Sequence, residues 1–163
     1  LAVLDPILAA QKIHELYQPS FPVRPEYLAK EMGICVTGVK LSDNVSAVLV
    51  PEIVRRKRRY LIIVNNGHPI ERQRFSIAHE LGHYCLHRNP QPAFMHHQKH
   101  RDRREREANR FAAELLMPRV DVVAAAIVGC DFDEMLEVFG VSKLAMKRRI
   151  RELGLTIEKG AIA

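Results

Sequence analysis

The chain has 163 residues, 25 basic against 19 acidic, giving a formal charge of +6. That length suits one sizeable core, or a core with a small helical appendage. Cys35, Cys85 and Cys130 are odd in number and form no Cys-x-x-Cys pair, so neither a disulfide framework nor a thiolate zinc site is expected. No apolar run nears the roughly 18 residues of a membrane span, and Leu1 to Ala10 lacks a basic lead-in, so a soluble cytoplasmic protein is expected.

Asp5 and Pro6 read as the cap and first residue of a helix to Gln18, with Ile7, Leu8, Ile13, Leu16 and Tyr17 near one face. Pro19 and Pro22 end it. Pro25 to Met32 reads as a second helix, stopped by Gly33 ahead of a strand at Ile34 to Val36. Val45 to Val50 and Tyr60 to Val64 are the other strands expected, separated by Pro51 and the basic run Arg55 to Arg59, with a turn at Asn65-Asn66-Gly67. From Ile70 to His87 the apolar positions gather on a broad helical face. Asn89 to His100 lacks periodicity and reads as a connector. Arg103 to Met117 resumes helical spacing, and shorter helices follow at Asp121 to Val128, at Phe132 to Phe139 and after Ser142.

The long helix carries His79-Glu80-Leu81-Gly82-His83. Histidines four apart project from neighbouring turns of one helix face, so both imidazoles can reach one ion at about 2.0–2.1 Å. Glu80 is then placed to act as general base toward a water. An exposed polar helix face is the bland reading of such a string. Here the apolar neighbours bury the histidines, and unpaired buried polar groups are costly. Gly82 in a helix interior gives up about 0.5–1 kcal/mol against alanine, which a close approach by another backbone or by substrate would explain.

A catalytic zinc takes three protein ligands and keeps one position open. His87 is awkward as the third, because each four-residue step turns the side chain by about 40°, so it is read as supporting the site or satisfied in the core. Asn89 stands where the third metzincin histidine would be. Among Glu105, Glu107 and Glu114 on the next helix, Glu107 is the choice and Glu105 the fallback, with a surface salt bridge as the competing explanation. Tyr84, His87, His68, His96, His97 and His100 are candidate auxiliary donors. A substrate strand is expected to pair with a sheet edge built from Val45 to Val50.

Basic residues cluster at Arg55 to Arg59, Lys99 to Arg110 and Lys143 to Arg151. Met135 to Leu153 reads as helix, Gly140 turn, helix, with Lys143, Lys147, Arg148, Arg149 and Arg151 on the second helix. A DNA-binding regulator is therefore an alternative, as is a catalytically silent metal-bearing partner such as a toxin–antitoxin component.

Arg74 to His83, Leu86-His87 and Glu107 to Pro118, in that order and spacing, resemble the ImmA/IrrE family of bacterial and phage metallo-endopeptidases. The flanks at Leu61 to Asn65, Phe139 to Ser142 and Arg149 to Gly154 agree. The resemblance implies an α+β, zincin-like peptidase, a small β-sheet packed on the active-site helix over residues 1–118, followed by a helix-turn-helix-like region over 119–163. It also implies zinc on His79, His83 and the glutamate of the Glu-Ala-Asn segment, which Glu107 matches; manganese stays open as the ion. The substrate it implies is a protein, typically a helix-turn-helix repressor, cleaved so that its genes are derepressed.

Overall fold

The computed structural model describes residues 5–87 and 98–156, with side chains for all of these except 98–102. The architecture is α+β, with seven helices and one three-stranded sheet among the described residues. Helix α1 (Pro6–Tyr17) begins as its sequence dictates: Asp5 Oδ1 accepts from the backbone N–H of Ile7 at 2.8 Å and of Leu8 at 3.1 Å. Helix α2 (Pro25–Glu31) leads through Gly33, whose φ of 75° suits glycine, into strand β1 (Cys35–Val39).

Strand β1 lies parallel to β3 (Lys57–Asn65), and β2 (Ala47–Val54) pairs antiparallel on the other side of β3. The sheet order β1-β3-β2 puts β2 on an edge, where Pro51 is tolerated because only one side of the strand is paired by the ladder. The basic run does not separate the strands as expected. Strand β2 extends to its edge and β3 begins inside it, pairing Val54 with Lys57, and the chain turns through Arg55 and Arg56, which both have positive φ (50° and 64°). Such a two-residue turn matches the twist of the strands.

Buried Asn65 organises the connection from β1 to β2. Its Oδ1 accepts from the N–H of Leu41 and Gly67, and its Nδ2 donates to the carbonyls of Leu41, Ser42 and Val45. Every polar group of this buried amide is used, so the loop is held without a strand ladder.

The sheet packs on α3 (Ile70–Leu86), which in turn packs on α4 (Gln98–Leu116). Gly82 faces the α4 backbone: a Cβ there would lie 3.0 Å from Ala108 Cα and 3.1 Å from Phe111 Cδ1. The backbone approach suggested by this glycine is thus with α4. Helices α5 (Arg119–Ile127), α6 (Phe132–Phe139) and α7 (Lys143–Leu153) complete the chain. α6 carries a capping box from Asp131 and Glu134, and Ser142 caps α7. One buried cluster takes in Ile62, Leu81 and Phe111 together with Met135, Phe139 and Met146, so the core runs across position 118.

Two arginines tie the last helices down. Arg74 of α3 donates to the carbonyls of Val23 and Gly140. Arg149 of α7 is buried on Glu114 of α4 and donates to the Met117 carbonyl at 2.9 Å. No helix among the described residues is long and apolar enough to cross a membrane.

Candidate metal centre

Helix α3 buries Ile77, Ala78, Leu81 and Gly82 and leaves His79, Glu80 and His83 half-buried. The periodicity that packs one side of the helix therefore fixes where the motif points. His79 Nε2 and His83 Nε2 lie 3.0 Å apart. Glu105 of α4 completes the group, with Oε2 3.2 Å from His79 Nε2 and Oε1 3.5 Å from His83 Nε2. One ligand atom from each residue falls within 4.8 Å of the others. Hydrogen bonds from the two imidazoles hold the Glu105 carboxyl well below the usual carboxylate range.

The outer partners set the imidazole tautomers. His79 Nδ1 lies 3.0 Å from Asn109 Oδ1, an acceptor, so Nδ1 carries the proton. His83 Nδ1 donates to His87 Nδ1 at 2.9 Å, and His87 Nε2 donates to Glu107 Oε2 at 3.2 Å. His87 is buried, and that burial lowers its pKa and favours the neutral ring this relay needs. Arg103 Nε donates to the other Glu107 oxygen at 2.8 Å. Each Nε2 is thereby turned toward the other and toward the Glu105 carboxylate, where a proton or a metal cation can bind between them. Burial opposes protonation of His79, but Glu105, Glu80 and Asn109 together outweigh it and raise its pKa. The donor set thus fits a divalent ion with two imidazole ligands and one carboxylate ligand.

Glu80 stands on the β2 side of this group. Burial raises its pKa, partly offset by the neighbouring histidines, and it accepts a hydrogen bond from the Leu49 backbone N–H. A carboxylate so placed is tuned toward proton transfer.

A family model described as the IrrE N-terminal-like domain, of the peptidase class, matches residues 30–151. The chain belongs to the ImmA/IrrE family. It is also similar to immunity region protein 2 of Bacillus phage phi105, which carries no further characterisation, with 35% identity over 153 residues covering 89% of each chain. The family is one of metallopeptidases, in keeping with the group formed by His79, His83 and Glu105.

Within this ImmA/IrrE chain the structure brings Glu105, rather than the expected Glu107, to the histidine pair. The two glutamates are two residues apart and so face about 200° apart around α4. Glu105 shares its flank with Asn109, and Glu107 shares the other with Phe111. Which flank meets the histidines depends on the side from which α3 approaches. Glu107 instead stands on His87 and Arg103, and Glu114 on Arg149.

Tyr84 packs edge-on against Tyr60 with ring centroids 5.2 Å apart. His68 faces the Asp43 carbonyl at 3.2 Å, on the loop organised by Asn65. His96 and His97 lie outside the described residues, as does the side chain of His100. Asn109 was not singled out in the sequence; its position four residues after Glu105 was the available signal. Burial pushes the Cys85 thiol up to about 12, which leaves it protonated and inert.

Proposed function

We propose that this chain is a zinc-dependent endopeptidase that cleaves a helix-turn-helix repressor encoded near its own gene and so derepresses that repressor's targets. The reading is supported by one observation above the others: three ligating groups from two helices converge on one point, with a carboxylate that is no part of that group beside them. Similarity to a phage immunity region protein supports a repressor as substrate. A reducing cytoplasm would be its compartment.

Zinc, when bound, supplies a Lewis acid that polarises the scissile carbonyl and makes a water acidic enough to attack it. His79, His83 and Glu105 would hold it, with Asn109 and the His87–Glu107–Arg103 relay engaging each Nδ1 and so turning each Nε2 toward the ion. Glu80, oriented by Leu49, takes the proton from the attacking water and delivers it to the leaving amine. The outer edge of β2, which pairs with no strand among the described residues, can accept an extended substrate strand, and backbone pairing there would hold the scissile bond over the ligands.

The DNA-binding alternative loses one of its residues, because Arg149 is buried on Glu114. Lys143, Lys147, Arg148 and Arg151 remain exposed on α7.

The test is to incubate the purified protein, with zinc and separately with manganese, beside the nearest encoded helix-turn-helix repressor. A discrete cut is expected from the wild type, while Glu80→Gln retains its metal and loses about 10²-fold or more in kcat. An intact repressor under both ions counts against the peptidase, and loss of metal from Glu80→Gln would make Glu80 a ligand or a folding residue.

A further inference from the structure

We propose that the groove between α3, α4 and α7 is a docking subsite for the protein substrate, one that takes a large apolar side chain flanked by carboxylates a few residues from the bond that is cut. This rests on the peptidase reading of the neighbouring site.

The groove has a volume of about 740 Å³, within the ~300–1,000 Å³ typical of ligand pockets. Its floor is apolar: Met117 and Val141 are buried, and Phe75 and Ala113 are half-buried. Leu144 of α7 stands on the lip, 59% exposed.

Continuity with the metal centre points to the substrate as occupant. Phe75, His79 and His83 share one side of α3, and Glu105, Asn109 and Ala113 the facing side of α4. The valley between these helices therefore runs from the histidine pair straight into the groove. Asn109 belongs to both, since it accepts from His79 and lines the groove. At 1.5 Å of rise per residue, Phe75 lies about 6 Å along the helix from His79. An extended chain covers that distance in roughly two residues.

Charge selects the kind of segment. Arg110 and Arg148 are exposed on the rim, and Arg72, also exposed, donates to Ser46 Oγ. Of the rim acids, Glu152 is held by Arg149, which leaves Glu71 against three guanidinium groups. A segment with carboxylates beside its apolar side chain meets both features, whereas a basic one is repelled. The role also accounts for α7, whose anchored Arg149 fixes one wall of the groove to α4.

The test uses two fluorescent peptides about 16 residues long, roughly four helical turns, identical in their leucines and flanked either by glutamates or by lysines. Binding to the zinc-loaded Glu80→Gln protein is followed by anisotropy. The glutamate peptide should bind about tenfold tighter, and Leu144→Glu and Arg148→Glu should each remove about that factor. Ile127→Glu, on the exposed side of α5, should change nothing, and thermal melts verify that each variant folds. Equal binding of the two peptides, or indifference to Leu144→Glu, overturns the proposal. With a cleaved repressor in hand, Leu144→Glu should raise KM and spare kcat. An unchanged KM sinks the groove and leaves the peptidase standing, while selective peptide binding without cleavage of any repressor sinks the peptidase and with it the groove's role as a substrate subsite.

Discussion

His79, Glu105 and Glu107 differ in what they owe to local sequence. The spacing of His79 and His83 makes a shared ion legible from the string alone, because four residues on a helix return to nearly the same face. The carboxylate was not legible in that way. Glu105 and Glu107 both border the buried side of α4, and the packing of α3 selects between them. Removing the side chain of Glu105 should abolish tight zinc binding, whereas Glu107→Ala and His87→Ala, which unseat the partner of His83, should weaken it about 10–100-fold. Competition with a chromophoric chelator measures both; full zinc occupancy in Glu105→Ala would reverse the roles. The proton that His79 holds has a consequence as well. A raised pKa stabilises the folded, metal-free chain below the ordinary histidine value, and this contribution is lost as pH rises through the raised one. Zinc must displace that proton, so its apparent affinity should fall as pH drops through this range, with about one proton released per ion. Titration calorimetry in buffers of different ionisation enthalpy reads the release directly, and no dependence on buffer would mean that His79 is already neutral.

At the scale of elements, the caps and breakers were the readable part. Asp5 and Pro6 start α1 where the sequence places them, and Ser142 starts α7. The β2–β3 hairpin was harder to read because the basic run lacks the apolar alternation that marks a half-buried strand. Its pairing comes from backbone bonds that continue beyond the core. Gly82 shows why a helix can favour a poor helix former. Gly82→Ala gains up to about 1 kcal/mol in propensity, but the added methyl meets Ala108 and Phe111 at 3.0–3.1 Å. Overpacking of about 1–3 kcal/mol should outweigh the gain, shifting the midpoint of urea denaturation downward and separating the helices that carry the ligands. A stabilised variant would show that α3 and α4 can relax apart.

Across the whole molecule, the last three helices share the core of the body instead of forming one of their own. The buried Arg149–Glu114 pair joins the two parts, and its removal tests how much it holds. Arg149→Met leaves Glu114 buried without its cation and should cost about 3–5 kcal/mol, of which the double variant Glu114→Leu/Arg149→Met should recover most. Arg148→Ala, one residue away and exposed, should stay within about 0.5 kcal/mol of wild type. Chemical denaturation distinguishes these cases, and equal effects at the two arginines would mean that Arg149 is not buried as described. By itself the sequence determined most of the helices, several of their caps, the histidine pair and the family, because each is written in contiguous spacing or in a motif, and from the same motif it proposes Glu80 as the base. Only the tertiary structure decided that Glu105 meets the histidines, that Asn109 and Glu107 support them, that Arg149 is withdrawn from the surface, and that a groove opens beside the site. Those choices turn on which flank of one helix faces another, and a helix's own periodicity is silent about the direction from which its neighbour arrives.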